Sequence, residues 1–207
     1  SLMAEKRPQE VVELTDTILK SCNPETIVKW TCIKSQGLLL SGRKDEALEL
    51  ATVTADQHPH ETYANYTAAD ITWNCGQEEL AGKYLDATIG ALPAECPLNL
   101  LDAVTSLAYV MSRHTLVIAL LDKEALLGVK SDFTRRLLFS LYESGQLERA
   151  YQIALPIYDP EISEQIVRAV IIEYNVMMQK YSEALSYVEE GFKTNPFDGL
   201  YLANKLG

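Results

Sequence analysis

Histidine is scarce in this 207-residue sequence, and no pattern typical of a catalytic centre accompanies it. The three histidines are His58, His60 and His114. Catalysis needs a nucleophile, an acid, a base or a metal held within mutual reach, and these residues offer little material for it. The His58-Pro59-His60 segment is interpreted as a loop between helices, and neither a GxSxG motif nor a glycine-rich phosphate loop is present. We therefore expect no enzymatic activity, no metal and no cofactor.

Cysteine is also infrequent, and its spacing does not suggest a cross-linked protein. Cys22, Cys32, Cys75 and Cys96 lie at least ten residues apart. This spacing matches neither a zinc-ligand pair nor a small disulfide framework. We expect free thiols in a reducing compartment, which favours a cytoplasmic location.

Positive charge and long apolar runs are both lacking. The sequence has 18 lysines and arginines against 29 aspartates and glutamates, which gives a formal net charge of −11. This balance has the wrong sign for binding a nucleic-acid backbone or an anionic membrane surface. No apolar run approaches the roughly 20 residues of a transmembrane helix. The sequence predicts partners other than nucleic acid and no direct insertion into a membrane.

What the sequence does contain is a repeat of three residue types. Glycine, alanine and proline recur in this order with one period. The pairs that lie 34 residues apart are Gly42 and Gly76, Ala47 and Ala81, and Pro59 and Pro93. Gly145 and Ala150 repeat the pattern, and Ala184 lies 34 residues after Ala150. Three independent markers with one period indicate a repeat architecture.

The residue types explain what each repeat forms. Glycine after an apolar helix accepts the left-handed backbone that ends the helix. Acidic residues that follow it suit the positive N-terminus of the next helix. The alanine allows two helices to approach closely, and the proline marks the end of the second helix. Each repeat is therefore predicted to be a helix-turn-helix unit.

A 34-residue helical pair with glycine, then alanine, then proline in these positions resembles the tetratricopeptide repeat (TPR). The resemblance covers residues 26–196 and implies an all-α, right-handed α-solenoid of about five TPR-like repeats with capping helices. It also implies a non-enzymatic scaffold or adaptor that binds other proteins.

The repeat pattern predicts one superhelical domain over residues 1–207. Its N-terminal capping helix is expected at 8–22, and residues 197–207 are expected to be a C-terminal cap or the truncated start of another repeat. The predicted repeats are 26–60, 61–95, 96–130 (degenerate and without its glycine), 131–164 and 165–196.

Candidate binding residues follow from the resemblance, since the first helix of each TPR pair lines the concave groove. In the second repeat the groove stripe consists of Tyr63, Tyr66, Asp70 and Trp73. In the repeat that begins near residue 131 the candidates are Arg135, Arg136, Phe139 and Tyr142. Aromatic residues with interleaved charges suit a peptide groove. The alternative is that these aromatic residues belong to the core. The adjacent stripe of small residues, Asn65, Ala68, Ala69 and Thr72, is expected to pack against the second helix.

Two kinds of partner interaction remain open from the sequence. The first is a partner peptide or helix held in the concave groove, and the second is a larger complex assembled through the solenoid edges and ends. Some TPR proteins grip acidic chaperone tails through a clamp of lysines, asparagines and arginine spread over three adjacent repeats. Here the corresponding positions hold Lys29, Cys32 and Gln36 in the first repeat and Tyr63, Tyr66 and Asp70 in the second, and only Arg135 and Arg136 resemble the later basic element. We therefore do not expect that ligand. The sequence does not indicate an oligomeric state.

Overall fold

A computed structural model of the protein describes residues 7–123, 131–159 and 165–194. The described residues form eleven α-helices and no strand. In chain order the helices are α1 (Pro8–Leu19), α2 (Pro24–Leu40), α3 (Lys44–Gln57), α4 (Thr62–Asn74), α5 (Glu78–Gly90), α6 (Leu98–Val110), α7 (His114–Leu121), α8 (Ser131–Glu143), α9 (Leu147–Ile157), α10 (Gln165–Met177) and α11 (Tyr181–Thr194). The predicted cap or truncated repeat at 197–207 lies outside the described residues, as do parts of the predicted repeats 96–130, 131–164 and 165–196.

The chain divides into two compact units, Ser1–Leu107 and Ala108–Gly207. In the first unit α1 packs on α2, α2 on α3 and α4, α3 on α4, and α4 on α5. In the second unit α7 packs on α8, α8 on α9 and α10, α9 on α10, and α10 on α11. From α1 to α5 and from α7 to α11, each helix therefore packs on its successor, and α2 and α8 also pack on the helix two places further on.

Tight turns of one geometry link α2 to α3, α4 to α5, α6 to α7, α8 to α9 and α10 to α11. Each contains one residue with a left-handed backbone: Gly42, Gly76, Ser112, Gly145 or Gln179. At Gly76 the backbone N–H donates to the carbonyl of Trp73 (2.9 Å), and the N–H of Gln77 donates to the carbonyl of Thr72 (2.9 Å). The other four turns have the same two hydrogen bonds, at 2.8 to 3.0 Å. This pairing is the Schellman motif, which satisfies the last carbonyls of a helix.

Two of these turns lack the glycine that the geometry favours. Ser112 has φ 55° and Gln179 has φ 59°. A left-handed backbone costs a residue with a Cβ roughly 1–2 kcal/mol. The glycine is therefore a preference rather than a requirement of the turn, and packing of the flanking helices retains the conformation where it is missing.

Small buried residues lie in the first turn of the second helix of most pairs, where the two helices approach each other. Ala47, Ala81, Ala150 and Ala184 are at most 2% exposed and lie in the first turn of α3, α5, α9 and α11. Helix α7 has the larger Val117 in this place, and Val117 is completely buried. The sequence analysis predicted that two helices approach closely at these alanines, and the burial of the alanines agrees with that prediction.

No helix in the described part of the chain is both long enough and apolar enough to cross a membrane.

The turns give a first prediction. Gly76 has φ 76°, and open space surrounds the position that a Cβ would take. Gly76→Ala should therefore lower the free energy of unfolding by about 1 kcal/mol through backbone strain alone. Gly90 of α5 is the matched control, because its surroundings are also open and it lacks a left-handed backbone. Gly90→Ala should raise stability by roughly 0.5 kcal/mol. Denaturant unfolding followed by circular dichroism measures both, and equal effects of the two substitutions would contradict the assigned turn.

The buried alanines give a second prediction. Ala81 is completely buried in α5, which packs on α4. Ala81→Leu should therefore overpack this contact and destabilise the protein by roughly 1–3 kcal/mol. Ala119 of α7 is exposed, so Ala119→Leu adds the same atoms where there is room. A melting temperature that falls in the Ala119 variant but not in the Ala81 variant would refute the packing described.

Candidate functional site

Helix α4 has one buried face and one half-exposed face. The buried face includes the stripe predicted from the sequence, Asn65, Ala68, Ala69 and Thr72, together with Ala64, Thr67 and Ile71, and each of these residues is at most 2% exposed. Asn65 also anchors the segment before the helix, since its Nδ2 donates to the carbonyl of Pro59 (2.9 Å). The burial expected for this stripe from the sequence is confirmed.

The other face of α4 carries the sequence-predicted site residues of the first unit. Tyr63 is 37% exposed. Tyr66, Asp70 and Trp73 are half-buried, so none of the four belongs to the fully buried core. We refer to Tyr63, Tyr66, Asp70 and Trp73 as the α4 face. Its rings are held by neighbours yet keep surface that a ligand can reach.

Helix α2 borders the α4 face at Tyr63. The thiol of Cys32 donates to the carbonyl of Tyr63, with 4.0 Å between sulfur and oxygen. Burial raises the pKa of Tyr63, and a hydrogen bond to Gln36 opposes that shift. Cys32 itself is 1% exposed, and burial raises the pKa of its thiol to about 11. At neutral pH this thiol is protonated and is a packing group rather than a nucleophile.

Tyr66 lies in the most negative environment of the α4 face. Burial raises the pKa of its phenol to about 12, and the charge of Asp70, the neighbouring Tyr63 and the charge of Asp102 add to the shift. Asp102 belongs to α6, so carboxylates from two helices act on this ring. The phenol is neutral at any physiological pH.

Asp70 is a half-buried carboxylate with an amide as its polar neighbour. The Nδ2 of Asn74 donates to the Oδ1 of Asp70 at 3.1 Å and to its main-chain carbonyl at 2.8 Å. Burial raises the pKa of Asp70, and the hydrogen bond from Asn74 only partly offsets this. Among the described residues no lysine or arginine forms an ion pair with Asp70.

A cleft adjoins the α4 face at the N-terminal ends of α2 and α4. It has a volume of about 320 Å³, and its lining includes Glu25, Lys29, Glu61 and Tyr63. All four of these side chains are exposed. Tyr63 therefore belongs both to the α4 face and to the cleft, which makes the two one continuous surface.

The second unit carries the other four sequence-predicted residues on α8. Phe139 contacts Tyr109 edge-on, with ring centroids 5.3 Å apart, and lies 5.9 Å from the ring of His114. Tyr142 donates from its hydroxyl to the Oε1 of Glu173 on α10 at 2.8 Å. Both rings are half-buried. The aromatic side chains of α8 are thus fixed by contacts with three other helices.

The two arginines of α8 have different environments. Arg135 is exposed, and its Nη2 lies 2.7 Å from the Oδ1 of Asp132. Arg136 is only 8% exposed, and its guanidinium lies 6.0 Å from the centroid of the Phe133 ring. A partner would reach Arg135 readily but very little of Arg136.

Sequence reasoning did not nominate Asp102, Tyr109 or Glu173, although a signal for them exists. Asp102 stands 10 residues before the left-handed residue of its turn, as Tyr66 does. Tyr109 stands three residues before its turn, as Trp73 does, and Glu173 stands six before, as Asp70 does. Counting back from the turn would have found all three. Their turns contain Ser112 and Gln179 instead of glycine, and the groove prediction was confined to the two repeats whose turns contain Gly76 and Gly145.

The described residues offer no metal centre or disulfide chemistry at these surfaces. Within 7–123, 131–159 and 165–194, no three histidine, cysteine, aspartate or glutamate side chains are grouped as metal ligands. Cys22, Cys32 and Cys75 are free thiols, as expected from their spacing.

Comparison with known proteins gives similarity in structure only. No protein-family model and no curated protein matches the sequence. Among solved structures, YrrB, described as a TPR protein with an unusual peptide-binding site, aligns with a TM-score of 0.68 and 12% identity over 92% of this chain and 97% of its own. A tetratricopeptide repeat protein from Parabacteroides merdae aligns with a TM-score of 0.58 and 14% identity over 93% of this chain and 75% of its own. The predicted all-α fold is confirmed, and the chain has the tetratricopeptide-repeat fold.

Proposed function

We propose that this chain is a non-enzymatic scaffold that binds an extended segment or a helix of a partner protein on the α4 face. The observation that carries the proposal is the division of α4 into a fully buried side, which holds small residues together with Ile71, and a half-exposed side of large residues. Helix α4 packs on α2, α3 and α5, and Tyr63, Tyr66, Asp70 and Trp73 still keep surface for a ligand. YrrB, which shares the fold, is described as having a peptide-binding site.

The chemistry of the α4 face suits a polypeptide. Tyrosine and tryptophan provide large contact areas and lose little side-chain entropy when a ligand binds. Tyr63 lies against α2, where the thiol of Cys32 donates to its main-chain carbonyl. The carboxylate of Asp70 and the amide of Asn74 supply polar groups between the rings. This mixture of apolar contact and directed hydrogen bonding is typical of protein interfaces.

The corresponding residues of α8 extend the proposal to the second unit. Arg135, Phe139 and Tyr142 have exposed or half-buried side chains that a partner could contact. Arg136 is left out, because its burial beside Phe133 makes it a packing residue. In this proposal the protein acts in the cytoplasm and binds no nucleic acid, in keeping with its formal net charge of −11.

A second candidate function is a structural subunit assembled through the end of the helical stack. One observation favours it: an apolar stripe on α11 is strongly exposed. Tyr181, Leu185 and Phe192 are 64%, 55% and 40% exposed, and their spacing places them on one side of the helix. Such a stripe suits burial against another protein.

Selection of peptides from a random displayed library tests which surface binds. Peptides selected on the full chain should lose at least tenfold in affinity with Tyr66→Ala, since hot-spot aromatic residues contribute 2 kcal/mol or more. Tyr181→Ala is the matched control, because it removes the same ring from an exposed position on α11. Circular dichroism should first show that both variants are folded.

The two candidate functions give opposite results. Loss of binding in the Tyr66 variant alone supports the α4 face. Loss in the Tyr181 variant alone would reject the proposed function in favour of assembly through α11.

A further inference from the structure

We propose that the α4 face recognises a cationic partner segment, in which a lysine or arginine side chain lies across the ring of Tyr66 and pairs with Asp70. The inference rests on the proposed function and names the chemical class of its partner. It is carried by the charges, the rings and the burial of the residues around Tyr66.

Carboxylates predominate on this surface. Asp70 lies on the α4 face itself, and Asp102 acts on the same tyrosine from α6. The adjoining cleft adds the carboxylates of Glu25 and Glu61, and its basic lining residues are Lys29 and His58. The local balance is negative, as is that of the whole chain at −11. A cationic segment is the complementary partner, and an acidic one would be repelled.

Asp70 is the residue of the α4 face at which a bound cation would gain the most favourable interaction energy. Its carboxylate is half-buried, and Asn74 is the hydrogen-bond donor to it, without an ion pair from any described residue. Charges interact more strongly where water is partly excluded. Burial raises the pKa of Asp70, so ionisation is less favourable here than in water. A partner ammonium or guanidinium would offset that penalty.

The tyrosine rings supply the second half of the recognition. A lysine or arginine over an aromatic face is attracted by the ring, and its aliphatic stem gains apolar contact. Tyr66 has Asp70 on its own helix and Asp102 beside it, so a cation over this ring also feels two carboxylates. Because the phenol stays neutral with a pKa of about 12, its hydroxyl oxygen can accept a hydrogen bond from the cation.

The equivalent positions of α8 provide an internal contrast. Counted from the left-handed turn residue, Arg135 corresponds to Tyr66 and Phe139 corresponds to Asp70. In the second unit, therefore, a cation stands at the position of Tyr66 and an apolar ring stands at the position of Asp70. The preference for a cationic segment is therefore a property of the α4 face and not of the repeat in general.

Peptide titration of the full chain tests the proposal. The probes are acetylated Gly/Ser peptides that carry lysine, arginine or glutamate at alternate positions. Trp73 lies on the α4 face, and Trp30 is the one other tryptophan of the sequence, so a Trp30→Phe background makes fluorescence report on this face. The lysine and arginine peptides should bind, and the glutamate peptide should not.

Two variants separate a specific site from general attraction to an acidic protein. Asp70→Asn should weaken binding of the lysine peptide about tenfold, the worth of one charge-assisted hydrogen bond. Asp45→Asn makes the same charge change at an exposed position of α3 and should leave the affinity unchanged. Equal weakening by both variants, or binding of the glutamate peptide, would overturn the proposal.

Failure of this proposal and failure of the proposed function give different results. A library-selected peptide without lysine or arginine that still requires Tyr66 would overturn the cationic partner and leave the α4 face as a binding surface. A library-selected peptide that is indifferent to Tyr66→Ala would reject the surface itself.

Stability of the Asp70→Asn variant gives an independent check. A carboxyl group whose pKa is higher in the folded than in the unfolded chain destabilises the fold when it is ionised. Burial shifts the pKa of Asp70 in this direction, so Asp70→Asn should raise the melting temperature at neutral pH while it weakens peptide binding. The amide can still accept from Asn74. A lower melting temperature would show that the carboxylate stabilises the fold, and would contradict its assignment to ligand binding.

Discussion

The left-handed turn that ends the first helix of each pair is the constraint on which the rest of the structure depends. Two backbone hydrogen bonds close each turn, and three residues separate the pairs α2 to α3, α4 to α5 and α8 to α9. So short a link forces the two helices to lie against each other. The close approach then favours small side chains, as at the completely buried Ala47, Ala81 and Ala150.

The same constraint determines which residues of the first helix of a pair are buried and which remain half-exposed. Once α4 packs against α2, α3 and α5, seven of its residues are buried, and the Tyr63, Tyr66, Asp70 and Trp73 side faces another way. The side chains on this side remain half-buried or exposed. Half-burial changes both the mobility and the ionisation of these side chains. It restrains the rings of Tyr63 and Tyr66, and it raises the pKa of Asp70 by partial removal of water. A surface prepared in this way binds a ligand with less loss of entropy than a fully solvated one.

The sequence predicted the turns wherever glycine marked them, at Gly42, Gly76 and Gly145. Ser112 and Gln179 take the place of glycine in two further turns, although a residue with a Cβ disfavours this backbone. Asp102 and Glu173 were not recognised as counterparts of Tyr66 and Asp70, because groove residues were predicted only for the repeats whose turns contain Gly76 and Gly145. The burial of Arg136 was also beyond sequence reasoning. Arginine is usually exposed, and only the packing of α8 shows that this one lies over Phe133.

Partner binding on the Tyr66 and Asp70 side of α4 can be followed through the backbone amide chemical shifts of the full chain during titration with a lysine-bearing peptide. The shifted amides should cluster on α4 and on the adjoining residues of α2, from Lys29 to Gln36. Shifts confined to α11 around Tyr181 and Leu185 would contradict the proposed surface and would assign the interaction to the exposed apolar stripe of α11.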